Sequence, residues 1–252
     1  MNKFELERLL NQKLNSLSIK DYVENGLQIE GKSDISRIIT GVTASKDLID
    51  RAITHKADAI LVHHGYFWKN ESPLLRGMKY RRIKALIEHD INLFAYHLPL
   101  DLHPTLGNNA MLGKLWNVEN IRPLDEEDAM PLVVQGELTA PMSGEQFGAL
   151  LETTLSRKPL HIGDNAPDKI HRIAWCSGAA QDYLERAAEY GVEAFITGEV
   201  SERTTYIARE MGIHFYAAGH HATERYGVKA LGEWLADEHQ LDVTFIDIDN
   251  PV

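Results

Sequence analysis

The chain has 252 residues, enough for one large domain or two small ones, and its 44% hydrophobic and 25% charged residues are typical of a globular protein. A net charge of −11 excludes general electrostatic attraction to nucleic acid or to an anionic membrane, so nucleic acid is not an expected partner. The single cysteine, Cys176, excludes an intrachain disulfide, and charges at Lys3, Glu5, Glu7 and Arg8 break any signal-peptide core; no run is long enough to span a membrane, and a cytoplasmic location is expected.

Phe4, Leu6, Leu9, Leu10 and Leu14 recur at helical spacing. Asn25-Gly26 is a turn signal ahead of a short strand at Leu27–Ile29. Arg37–Val42 reads as the next strand, with Ser45 as the N-cap of a helix reaching about His55. Ala59–Val62 is a buried strand running into His63-His64-Gly65. A helix over Tyr80–His89 and a strand over Ile91–Tyr96 follow, the latter ending at His97-Leu-Pro-Leu-Asp101. Between Arg122 and Gly163, Leu132–Val134 and Gly136–Leu138 read as strands and Gly144–Leu155 as a helix, after a solvated acidic run at Asp125–Asp128. Ile213–Ala218 is another buried strand, and Val228, Leu231, Trp234 and Leu235 mark the helix that follows.

The chain contains an internal repeat. The stretch from Arg37 to Val62 can be laid on the stretch from Arg172 to Thr197, with identities at Arg37/Arg172, Ile38/Ile173, Ala44/Ala179, Asp47/Asp182, Arg51/Arg186, Ala52/Ala187 and Ala59/Ala194. Ile91–His97 then resembles Ile213–Gly219. The expected fold is therefore α/β: two similar β-α-β-based lobes with mainly parallel sheets, facing each other within one sheet system, with the site between them. The lobes are expected at residues 1–120 and 121–252, the second copy beginning near 172.

Ligands of open α/β sheets gather outside the carboxyl ends of strands. In copy one those ends carry His63-His64 and His97…Asp101; in copy two they carry Gly198-Glu199 and His220…Glu224. His220 and Glu224, four apart at the start of a helix, share a face and suit a divalent cation. Adjacent His63 and His64 point different ways, which suits two ions. Pro99 argues against a regular helix between His97 and Asp101; Asp101 could ligate a metal while His97 orients a ligand or moves protons. Glu199 is either a plain cap or a base acting on water. Arg76, Lys79, Arg81, Arg82 and Lys84 form either a solvated helix face or a contact for a phosphate-bearing small-molecule substrate, and Tyr66, Phe67 and Trp68 either wall a pocket or pack the core. Nucleophile-elbow, P-loop and dinucleotide signatures are absent.

Asn25-Gly26-Leu27-Gln28, Val62-His63-His64-Gly65, His97-Leu-Pro-Leu-Asp101 with Gly107-Asn108-Asn109, Thr197-Gly198-Glu199 and Gly219-His220-His221-Ala222-Thr223-Glu224 occur in this order. Together they resemble the NIF-three-like family, whose members are labelled GTP cyclohydrolase 1 type 2 homologues, in its short bacterial branch. The resemblance spans essentially the whole chain. It implies two divalent metal ions per chain (Zn, Fe, Mn, Ni or Co), with His63 and Asp101 on one, His64 and His220 on the other, and Glu224 bridging. His97 and Glu199 match motif positions too and are candidates for acid–base catalysis. The resemblance also implies a toroidal homohexamer built as a trimer of dimers, and a metal-dependent hydrolase of the GTP cyclohydrolase type. The alternative is a metal carrier or ring-shaped scaffold without catalysis.

Overall fold

The computed structural model describes residues 1–252. In chain order it contains α1 (Lys3–Leu14), β1 (Gly26–Ile29), β2 (Arg37–Thr43), α2 (Lys46–Thr54), β3 (Ala59–His64), α3 (Gly77–Glu88), β4 (Asn92–Ala95) and the single-turn α4 (Leu98–Asp101). Next come α5 (Asn108–Leu115), β5 (Val118–Pro123), β6 (Val134–Met142), α6 (Gly144–Leu155), β7 (Leu160–Ile162), β8 (Ile170–Trp175), α7 (Leu184–Glu189), β9 (Ala194–Thr197), α8 (Glu202–Met211) and β10 (His214–Ala217). The chain closes with α9 (His220–His239) and β11 (Asp242–Phe245).

Two compact units result: Met1–Gly107 with Gly227–Asp249, and Asn108–Tyr226 with Asn250–Val252. The division falls at Gly107 rather than at residue 120, and α9 begins in the second unit and ends in the first. Its apolar residues explain this. Val228, Leu231 and Leu235 pack with Leu6, Leu10 and Ile38, whereas Ala222 and Tyr226 belong to a cluster with Leu151 and Trp175.

The first unit holds a five-stranded sheet in the order β1-β4-β3-β2-β11, parallel except for β1. Both faces are covered, so its strands are nearly continuous apolar runs. The pleat sends Ile39, Ile60 and Leu93 to one core cluster and their neighbours Ile38, Leu61 and Phe94 to the other. The second unit holds a six-stranded sheet in the order β5-β6-β8-β9-β10-β7, in which β8, β9 and β10 are parallel.

The repeat is larger than the sequence comparison indicates. The succession α1-β1-β2-α2-β3-α3-β4 is matched by α6-β7-β8-α7-β9-α8-β10, with strand orders 1-4-3-2 and 7-10-9-8. β1 and β7 each close the outer edge as an antiparallel strand. The copies do not share one sheet. The strand at the end of each copy pairs instead with an added strand, β11 against β2 and β6 against β8.

Several boundaries differ from expectation. α3 starts at Gly77, a turn before Tyr80, so the basic residues lie along its first two turns; Leu132 and Val133 precede β6 rather than belonging to it; α5 and β5 carry no clear sequence signal. No helix is long and apolar enough to cross a membrane.

Candidate metal centre

β3 runs two residues further than its apolar core, so His63 and His64 are its last members; contrary to the expectation that they point different ways, their rings converge. His63 is fully buried, and its Nδ1 lies 3.0 Å from the Tyr96 carbonyl oxygen. A carbonyl only accepts, so Nδ1 donates and the neutral ring keeps its lone pair on Nε2. That nitrogen lies 3.5 Å from Asp101 Oδ2. His64 is half-buried, its ring 4.6 Å from that of His63, with Nδ1 3.2 Å from the Thr43 hydroxyl.

Asp101 ends α4, whose turn is closed by Leu100 and Asp101 N–H donating to the His97 carbonyl at 2.9 and 3.2 Å. Contrary to the expectation drawn from Pro99, this is a helical turn. Proline stands in its first turn, where no intrahelical N–H is required. His97 is buried at the end of β4, its Nδ1 3.0 Å from Asp21 Oδ1. One ligand nitrogen each of His63, His64 and His97 falls within a cluster 4.8 Å across.

The segment Asp21–Gln28 holds these strand ends in place. Asn25 Oδ1 accepts from His97 N–H at 2.8 Å; Gln28 donates to the Tyr66 carbonyl at 2.9 Å and accepts from Tyr66 N–H at 2.7 Å. One motif side chain thus clamps β4 and another clamps the loop after β3. Tyr66 is core, hydroxyl donated to the Ala44 carbonyl, while Trp68 stands edge-on to His97 at 5.2 Å.

In the second unit His220 opens α9 and Glu224 lies one turn on, its carboxylate Oε2 3.2 Å from His220 Nε2. Glu199, expected as an acid–base group, has Oε1 2.6 Å from His220 Nδ1. Nδ1–H therefore points at Glu199 and Nε2 at Glu224, the orientation of a ligating histidine backed by a carboxylate. Burial alone pushes the His220 imidazole down, but hydrogen bonds and charge from Glu224 and Glu199 outweigh it and pull it up to about 9. A proton between His220 and Glu224 stands where a cation fits.

Sequence reasoning missed the scaffold of this half-site. Gly178 follows β8 with φ 65°, and a Cβ there would stand 2.3 Å from Glu224 Oε1. Its N–H donates to Thr223 Oγ1 at 3.0 Å, and its carbonyl accepts from Thr197 Oγ1 at 3.0 Å and Gly198 N–H at 2.8 Å. Gly198 is needed because a Cβ would lie 2.5 Å from the His220 Cα. Asp21 was missed too. The available signal was position: Gly178 follows the first strand of copy two, and Asp21 lies four residues before Asn25-Gly26.

Imidazole nitrogens beside carboxylate oxygens, without thiolate, fit zinc or another first-row divalent ion. At His63 the fit is specific. His63 Nε2 faces the Asp101 carboxylate across 3.5 Å, a nitrogen and an oxygen that one cation would bind together.

Of the basic cluster, Lys79 is paired with Glu71 at 2.9 Å and lies over the Phe67 ring, and Lys84 is paired with Glu88 at 3.3 Å. Arg76 and Arg81 are exposed.

Two mixed sheets of repeated topology, with His–carboxylate sets at their strand ends that could hold a metal, define a two-lobed α/β protein. The model of the DUF34/NIF3 (NGG1p interacting factor 3) family matches residues 1–251, and the chain belongs to that family. It is 59% identical over 251 residues to a Yersinia pestis protein called "GTP cyclohydrolase 1 type 2 homolog", and 60% identical to one of the same name from Haemophilus influenzae, with 100% of each chain covered. Among solved structures it is similar to the protein ybgI, described as of unknown function, at 55% identity, TM-score 0.96 and full coverage of both chains.

Proposed function

We propose that the protein is a dinuclear metal-dependent hydrolase. The observation that carries this reading is the tautomer control at both half-sites. His63 and His220 each commit Nδ1 to an acceptor and turn Nε2 towards a carboxylate. In the proposal His63, His64 and Asp101 of the first unit and His220 and Glu224 of the second would be the metal ligands, as the family resemblance implies. Paired divalent ions, when bound, lower the pKa of a water and neutralise charge developing on the substrate. Glu199 orients His220. His97 accepts and returns the proton, because it is buried beside His63 and His64 and is held from behind by Asp21.

The name carried by the relatives puts GTP first among substrates, with ring opening and release of formate. Arg76 and Arg81 are the proposed phosphate contacts. Self-association as a homohexamer, a trimer of dimers, belongs to the same proposal and is checked by sedimentation.

The test is formate release from GTP by metal-reconstituted protein, with bound metal counted and Glu224→Gln as control. Release by the wild type and none by the variant is expected. No turnover of GTP, of phosphate esters or of cyclic amidines by protein holding two ions per chain would remove the hydrolase reading. A metal carrier would then be favoured, consistent with His64 and His220 being only half-buried.

A further inference from the structure

Asp21 is the most firmly held acid beside the histidine cluster. Its side chain is 3% exposed, and that of His97 is 7% exposed. Oδ1 accepts from Tyr22 N–H at 2.7 Å and from His97 Nδ1 at 3.0 Å. Oδ2 accepts from Leu98 N–H at 2.9 Å and Asn25 Nδ2 at 3.0 Å, and lies 3.3 Å from the same His97 nitrogen. Burial pushes the carboxyl up, but the hydrogen bonds from His97, Asn25 and the Leu98 N–H outweigh it and hold it below its ordinary value. Asp21 is thus a buried carboxylate whose oxygens both point at N–H groups.

Two of those donors belong to the His97–Leu98 junction, and Asn25 binds both Asp21 and the His97 main chain. Asp21 therefore fixes the imidazole and the backbone that carries it. Tyr22 and Trp68 stand edge-on to the ring at 5.1 and 5.2 Å and limit its rotation. With Nδ1 committed, Nε2 is the nitrogen left to His97, on a ring 5.0 Å from that of His63 and 5.7 Å from that of His64.

We infer that Asp21 is the positioning residue of the centre, locking His97 as the Nδ1–H tautomer so that Nε2 is the proton-accepting atom. This rests on the hydrolytic reading for its consequence, not for its geometry. In that reaction a water O–H bond breaks as the oxygen bonds to the substrate. The proton goes to His97 Nε2, Asp21 balances the imidazolium charge, and the proton is then given to the leaving group as its bond to the attacked atom breaks. A carboxylate accepting from Nδ1 of a histidine fixes its orientation and excludes the tautomer that cannot accept at Nε2.

The two units then hold these histidines alike. His97 follows β4 and His220 follows β10, the equivalent strands of the repeat, and each has Nδ1 on a carboxylate, Asp21 in one and Glu199 in the other. Their remaining neighbours differ. Glu224 faces His220 Nε2 at 3.2 Å, whereas the His97 ring is surrounded by Tyr22, Trp68 and two histidines. That difference assigns the proton to His97 and the ion to His220.

The test is the tautomer of His97, read from its ring ¹⁵N shifts in zinc-loaded protein and compared with Asp21→Asn. An asparagine offers one acceptor and one donor, so either orientation sets its NH₂ against N–H groups. Facing Tyr22 and His97, it drives His97 towards the Nε2–H form. The wild type is expected with Nδ1 pyrrole-type and Nε2 pyridine-type, and Asp21→Asn with a substantial Nε2–H population, both holding two ions per chain. With a hydrolysed substrate, kcat falls by about 10²- to 10⁴-fold and KM changes little. An Nε2–H wild type would overturn the inference, and the wild-type spectrum decides even when the variant does not fold or turns its amide oxygen to His97. Loss of one ion in His97→Gln would make His97 a ligand and overturn it as well. Absence of turnover with the expected tautomers refutes the hydrolase reading and leaves Asp21 as the positioning residue.

Discussion

At Gly178 two demands meet on one residue. Its φ of 65° costs an alanine about 1–2 kcal/mol relative to glycine, and the added methyl would stand 2.3 Å from Glu224 Oε1. The carboxylate is buried and its neighbours are fixed, so it is the part that moves. Gly178→Ala is expected to retain the fold with modestly lower stability and to bind zinc roughly 10- to 100-fold more weakly, measured by competition with a chelator. Unchanged affinity would mean that Glu224 is not a ligand. Asp58 shows a different residue-scale effect. Burial pushes its carboxyl up, but Lys32, the Arg37 N–H and the N–H and hydroxyl of Ser36 outweigh this and hold it down at about 2. A depressed carboxylate stabilises the fold fully above the unfolded pKa near 3.8, and its contribution is lost as pH falls through 2. Asp58→Asn should remove about 2 kcal/mol at neutral pH and flatten the pH dependence of urea unfolding between about pH 4 and 2.

At the scale of elements, the start of α9 depends on one hydroxyl. Thr223 Oγ1 accepts from Gly178 N–H at 3.0 Å and donates to the carbonyls of Gly219 and His220, each at 2.9 Å. Thr223→Val keeps the shape and strands a buried N–H, so a loss of about 1–3 kcal/mol is expected, together with weaker metal binding through His220. Unfolding and zinc titration of the same variant check both. This element also shows what the sequence makes legible. His220 and Glu224 share a helix face by spacing alone, and β2, β3, β4, β9 and β10 declare themselves as short apolar runs between turn residues. α4 was less legible, because Pro99 breaks helices in their interior but not in their first turn, and position cannot be judged before the turn is known. The contacts that set tautomers were illegible for another reason: Asp21 and His97 are 76 residues apart and meet only once β1 closes against β4.

At the scale of the whole molecule, duplication accounts for both the fold and its chemistry. Each copy brings two parallel-strand ends with polar tips into one unit, and the copies diverged at those tips: His63-His64 at the end of β3 answers to Gly198-Glu199 after β9. One copy therefore contributes a histidine pair where the other contributes a glycine for close backbone approach and a carboxylate to orient His220. The core of the second unit is packed independently of these tips, by Trp116, Trp175, Phe147 and Tyr216. Metal removal should accordingly leave the sheets intact and lower stability only by the linkage term. At zinc 100-fold above the Kd of each site that term is about 2.7 kcal/mol per ion, about 5.4 kcal/mol for two independent ions, or roughly 11–22 °C in Tm for a chain of this size. Differential scanning of chelated and zinc-loaded protein should show that shift with unchanged far-UV circular dichroism, and His220→Ala should show a reduced shift from the same chelated baseline. Loss of secondary structure on chelation would instead make the ions structural, and would move the centre from chemistry to scaffolding.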